Sequence, residues 1–170
     1  MMMRARSLVP FVIFALLGPA SADEWRISTS GLGPAKIGMT VAEVAQALQR
    51  ELVVDGEIDS PRCYYVKSQP PIAGLAIMVS HGRVVRFDVT APGITTLSGL
   101  GVGDTETQVI EVLGPSVEVT PHKYLAPEGN YLTLWSENRR FAVRFETHLG
   151  KVTSFYAGRL PEVRHVEGCA

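Results

Sequence analysis

The sequence predicts an α+β fold of two tandem αβββ repeats, their strands forming one curved antiparallel sheet with short helices packed on one face. Three observations predict it. The chain is similar to itself over most of its length, two short amphipathic stretches open on matching capping signals, and β-branched and aromatic runs are broken by glycine turns.

The first element is a leader. Arg4 and Arg6 precede an apolar run from Leu8 to Leu17, Gly18-Pro19 break it, and Ala20-Ser21-Ala22 supplies small residues for cleavage before Asp23-Glu24. This is the three-part pattern of a secretory signal. A run of this length is too short for a bilayer core, which needs roughly 20 helical residues. Residues 1–22 are therefore read as a signal peptide, and the mature chain as periplasmic or secreted with no membrane anchor. It divides into a first repeat over 23–95 and a second over 96–170 that includes a C-terminal tail.

In the first repeat, Ile37-Gly38-Met39-Thr40 is followed by Glu43-Val44 and Leu48. In the second, Val102-Gly103-Asp104-Thr105 is followed by Gln108-Val109 and Leu113, at an offset of 65 residues. Thr40 and Thr105 occupy N-cap positions, with Glu43 and Gln108 three residues on, the arrangement of a capping box. Apolar residues at helical spacing follow each cap: Val41, Val44, Ala45 and Leu48, then Val109, Ile110, Val112 and Leu113. Gly114-Pro115 ends the second helix.

Downstream the copies align at an offset of 68. Cys63 to Val66 falls on Tyr131 to Leu134, Leu75 to Val79 on Val143 to Thr147, and Gly82 to Phe87 on Gly150 to Phe155. Each copy reads helix, strand, strand, turn, strand, with His81-Gly82 and Leu149-Gly150 at the turns. Trp25 to Thr29 and Val117 to Thr120 are further strand candidates. Thr90 to Leu100 is the expected junction between halves.

Alternation assigns the faces. Leu75, Ile77, Phe87, Val143, Phe145 and Phe155 are expected against the helices. The opposite register carries Tyr65, Met78, Arg86, Asp88, Tyr131, Thr133, Trp135, Arg144, Glu146 and Tyr156. Arg86 with Asp88 and Arg144 with Glu146 are i, i+2 pairs, read as solvated ion pairs worth roughly 0–1 kcal/mol. Tyrosine, tryptophan and arginine are the residue types of interface hot spots. Tyr65, Met78, Arg86, Asp88, Tyr131, Trp135, Arg144, Glu146 and Tyr156 are thus the candidate binding surface.

The helix start Ile37 to Val44, repeated in weaker form and followed each time by three strands, resembles a known superfamily. That superfamily holds the tandem-repeat β-lactamase inhibitor protein and the small outer-membrane assembly lipoproteins. The likeness in architecture runs from about Leu32 to Gly158. It implies a unit that binds proteins with its open sheet face and has no catalytic residues to carry over. The chain departs from that pattern: it lacks a lipid-attachment cysteine, and its two cysteines, Cys63 and Cys169, are far apart in sequence. In an oxidising compartment they are expected to form one long-range disulfide.

Chemistry-bearing motifs are sparse. His81, His122, His148 and His165 form no helical metal-binding pair, so neither a metal nor a cofactor is expected. No Gly-x-Ser-x-Gly elbow exists, and Gly99 to Gly103 lacks the Lys-Ser/Thr of a phosphate loop. A formal charge of −1 with scattered cations carries no nucleic-acid footprint. The sequence therefore points to a binding protein with a protein partner in the cell envelope, acting as an inhibitor or an envelope-assembly accessory. The alternative is a small cell-envelope hydrolase acting on glycan or peptide, using Glu146 with His148.

Overall fold

The structure, a computed structural model, describes residues 25–56, 60 and 62–169. The signal peptide assigned to 1–22 lies outside the described residues. The described residues begin with three short strands, β1 (Arg26–Ser28), β2 (Gly31–Leu32) and β3 (Ala35–Lys36). Helix α1 (Val41–Leu48) follows, then β4 (Glu51–Val54), β5 (Cys63–Gln69), β6 (Leu75–Ser80) and β7 (Arg83–Val89). After β8 (Thr95–Thr96) comes α2 (Glu106–Leu113), then β9 (Val117–Pro121), β10 (Asn130–Trp135), β11 (Phe141–His148) and β12 (Lys151–Arg159).

Both helices start as the capping signals require. The Thr40 hydroxyl accepts from the Glu43 amide at 3.2 Å while the Thr40 amide donates to the Glu43 carboxylate at 2.7 Å. Thr105 and Gln108 repeat the exchange at 3.1 and 2.8 Å. These reciprocal bonds occupy donors that an eight-residue helix otherwise leaves to water. The helices differ in burial. Val44 and Leu48 of α1 are buried, whereas α2 buries Val109 and leaves Ile110 and Val112, both expected on its apolar stripe, in solvent.

The eight longer strands form one antiparallel sheet in the order β4-β5-β6-β7-β12-β11-β10-β9, with β7 and β12 paired at its centre. The expected three strands after each helix are present, and each set gains a fourth, outermost strand. For β9 the sequence signal was visible. Strand β4 follows α1 after two residues, and its Leu52-Val53-Val54 run was not separable from the helix by periodicity. A smaller sheet, β3-β2-β1-β8, pairs β1 with β8 in parallel, so the expected junction between halves is tied back to the start of the described chain.

The two-residue turns have positive φ at both positions: 51° and 73° at His81-Gly82, 50° and 74° at Leu149-Gly150. Their twist matches the flanking strands. Helices and small sheet share one face of the large sheet. There Val44, Leu48, Val109, Ile27 and Leu32 pack with Leu75, Ile77, Phe87, Val143, Phe145 and Phe155 in a single core. Each fully buried phenylalanine contributes about 1.5–3 kcal/mol of transfer free energy. The inward register is the one that alternation predicts.

Candidate functional site

The opposite face is built in rows by strand pairing. Tyr65, Met78 and Arg86 lie in one row, continued across the centre by Gly158, Ala142 and Trp135. The next row runs Ala76, Asp88, Tyr156, Arg144 and Thr133, and a third holds Ser154, Glu146 and Tyr131. Every residue assigned to this face by alternation is on it.

The expected open face is not open. The C-terminal segment crosses its first row. Val163, in a short 3-10 turn at Glu162–Arg164, packs on Ala142 and Tyr156 with Trp135 alongside. Further on, Gly168 lies so close to the Tyr65 hydroxyl that a Cβ there would sit 2.8 Å from it, and Cys169 is bonded to Cys63 across a Cα–Cα distance of 5.4 Å. Lys123 and Tyr124, from the loop between β9 and β10, both reach Glu167. Met78, Arg86, Tyr131 and Tyr156 are consequently buried and cannot meet a partner directly. Alternation groups these residues on one face, and the tail that the Cys63–Cys169 bond draws back lies across part of it.

Arg86 holds the tail. Its Nη1 donates to the carbonyls of Glu162 at 3.0 Å and His165 at 2.7 Å. Nη2 donates to the Tyr65 hydroxyl at 2.9 Å and pairs with Asp88 at 2.8 Å, Nε donates to Asp88 at 3.1 Å, and the guanidinium plane lies over Tyr156 at 4.4 Å. All five guanidinium N–H groups have a partner, the arrangement for which arginine's fork is suited. The expected solvated pair of Arg86 and Asp88 is therefore a buried one. Burial works against the Arg86 charge, and Asp88 with Tyr65 outweighs it, keeping the group protonated. Burial lifts the Asp88 carboxyl above the usual range against the pull of Arg86. Burial and the Asp88 charge push the Tyr65 hydroxyl up to about 12.

The second expected pair, Arg144 with Glu146, separates into different contacts. The Arg144 guanidinium lies over the Tyr131 ring at 3.8 Å, and its buried Nε has no hydrogen-bond partner among the described residues. Glu146 accepts from the Tyr156 hydroxyl at 3.1 Å and the Ser154 hydroxyl at 3.2 Å. Burial, then the Glu146 charge, raises the Tyr156 pKa, and burial also raises that of Tyr131.

The histidine beside Glu146 is His122 rather than His148. His148 is the last residue of β11, at the turn and beyond a bulge that offsets the register after Glu146. His122 Nε2 is 3.7 Å from the Glu146 carboxylate, and its ring stacks on Tyr131 at 4.4 Å. Its Nδ1 accepts from the amides of Tyr124 and Leu125, which places the proton of the neutral ring on Nε2, toward Glu146. Nothing in the local sequence announced its place beside Glu146, because Tyr131 and Glu146 come from β10 and β11.

Beside the tail, the rest of the face forms a groove. A cleft of about 490 Å³ is bordered by Asp55, Tyr65, Lys67, Asp88 and Thr90, and Lys67 is paired with Asp55 at 2.8 Å. Asp88 and Thr90 also line a smaller cleft of about 180 Å³, which continues past Glu146, Ser154 and Tyr156 to Val166 of the tail. At the other end of the face Trp135 is half-buried. Its Nε1 donates to Glu118 at 2.9 Å, and the guanidinium groups of Arg139 and Arg164 lie 5.6 and 5.2 Å from its ring. Among the described residues no three His, Cys, Asp or Glu side chains converge as a metal would require, and no helix is long and apolar enough to cross a membrane.

No protein-family model matches the chain, and a search of curated proteins finds no match. Among solved structures, the crystal structure of the uncharacterized protein YfeY from Escherichia coli is similar. The two share 13% sequence identity and a TM-score of 0.51, over 79% of this chain and 99% of that one. At that identity the likeness speaks for the fold: an α+β chain with antiparallel sheets, related to that of YfeY.

Proposed function

We propose that the mature chain is an extracytoplasmic protein-binding module, a duplicated unit of one helix and four strands. In this reading it engages a protein of the cell envelope, as an inhibitor or an assembly accessory. The contact surface is the groove left beside the tail, from Lys67 past Asp88 to Glu146, rather than the whole sheet face. The observation that carries this reading is the rigidity of that groove: Tyr65, Asp88, Glu146 and Tyr156 are each fixed by hydrogen bonds to neighbouring side chains before any partner arrives. A surface ordered in advance spends less binding free energy on immobilising side chains. The disulfide and the leader support a location outside the cytoplasm.

The test is affinity capture from an envelope extract with residues 23–170 as bait. Thr90→Trp fills the groove from an exposed position, and Leu149→Ser, on a distant turn, is the control. Capture is expected to fall at least tenfold with Thr90→Trp alone. Equal capture by wild type and Thr90→Trp would overturn the reading. A hydrolase is the second reading, favoured by the cleft that holds Glu146 beside Ser154, with buried His122 3.7 Å from the Glu146 carboxylate. Turnover of a glycan or peptide that Glu146→Gln abolishes would establish it in place of the first.

A further inference from the structure

A separate cavity of about 240 Å³ opens on the helix side of the sheet. Its floor is Leu134, Val143 and Phe145, Ile27 and Leu113 form its walls, and no lining residue is ionisable. Leu97, 70% exposed, stands at its edge, and the remaining polar lining is hydroxyl-bearing, including Thr29. Protein interiors are close-packed, so an apolar void of this size reaching core residues such as Phe145 calls for an occupant. An apolar cavity of about 150 Å³ already admits benzene.

We infer that this cavity binds the alkyl chain of a free single-chain amphiphile with an uncharged head. The apolar floor takes the chain, and the hydroxyl-bearing mouth suits a neutral polar head where no charge is present to pair with an ionic one. Comparison between the halves shows how their linings differ, and this step alone rests on the duplicated-unit reading. At the offset of 65, Thr29 corresponds to Ile94, which is buried in the core, and exposed Leu97 corresponds to Leu32, which is fully buried. At the offset of 68, exposed Arg140 corresponds to Ile72, which packs against the core. In the first half Ile94 and Ile72 border a cleft of about 330 Å³ together with Arg50, whereas the second half's cavity has no ionisable lining.

The experiment is a methyl NMR titration of residues 23–170 with straight-chain alcohols, read at Ile27, Leu134 and Val143. Saturable shifts are expected, with affinity rising about three- to fourfold per added methylene. The rise should stop at about eight to ten carbons, when the cavity is full. Thr29→Ile restores the residue that the first half carries, and Leu113→Phe fills the cavity from α2. Each is expected to weaken octanol binding at least tenfold, and either folded variant suffices. Absence of saturable shifts in the wild type, or unchanged octanol affinity in a folded variant, overturns the inference. So does flotation with phosphatidylcholine vesicles in the absence of any response to free alcohols. Partner capture through the groove is read independently, so failure of one leaves the other standing.

Discussion

Replacing Arg86 by Met tests whether the arginine organises the outer face. The side chain is 5% exposed, and its partner Asp88 has only 13% of its side chain in solvent. Removing one member of a buried pair leaves the other charge without compensation, which costs about 3–5 kcal/mol. The carbonyls of Glu162 and His165 lose their donors as well, and each such bond is worth about 1 kcal/mol. The disulfide keeps the tail from leaving entirely, so the expected loss is about 3–5 kcal/mol rather than the sum of all contacts. Equilibrium urea unfolding at neutral pH, with the disulfide intact, measures it. Replacing both partners, Arg86→Met with Asp88→Leu, removes the stranded charge and should recover at least about 1 kcal/mol of that loss. Amide exchange at residues 162–166 should accelerate in the single variant. A loss under about 1 kcal/mol, the range of an exposed pair, would refute the clamp. A double variant no more stable than the single would refute the stranded-charge argument.

Three further outcomes are expected. The disulfide closes a sequence separation of 106 residues, so Cys63→Ser with Cys169→Ser should lower unfolding stability by up to about 4–5 kcal/mol on the chain-entropy account. Urea unfolding of the serine variant against wild type checks this, and no change would mean that the tail is held by Arg86 alone. Leu149 occupies a left-handed position at a φ of 50° with its side chain in solvent, so Leu149→Asn should raise stability by about 1 kcal/mol, read as a higher urea midpoint. Tyr65, Tyr131 and Tyr156 have raised pKa values, so the folded state favours their neutral forms. Their contribution to stability is whole below about pH 10, the unfolded tyrosine value, and is lost as pH rises from there through the folded value of about 12 for Tyr65. Alkaline difference spectroscopy should show these phenols ionising together with unfolding; ionisation of all five tyrosines ahead of unfolding would contradict their burial.

The fold was legible where the signal is local. Capping boxes at Thr40 and Thr105 are four-residue patterns whose partners are adjacent in sequence, and the turns at His81-Gly82 and Leu149-Gly150 need only two residues. Strand faces followed from alternation because Leu75, Ile77, Phe87, Val143, Phe145 and Phe155 are strongly apolar and a slip of one residue would expose all of them. What escaped was short or decided by distant partners. Strands β2, β3 and β8 have two residues each, too few for any period, and β8 exists because β1 lies beside it.

The outer face shows the same division one level higher. Alternation put Tyr65, Arg86, Asp88 and Tyr156 on one surface, and their residue types alone made that surface look like an exposed contact site. Whether such a surface meets water or the protein's own chain depends on where the last residues run, and no periodic pattern in Pro161 to Cys169 states that. The cysteine pair was the clue: joining Cys63, at the start of β5, to Cys169 forces the tail back to the edge of this face. Once it returns, Arg86 is in position to bind its carbonyls, and the aromatic residues beneath become core. A disulfide inferred from composition therefore constrains the accessible site more than the hot-spot residues do, because it decides which of them a partner can reach. The groove beside the tail is what that constraint leaves.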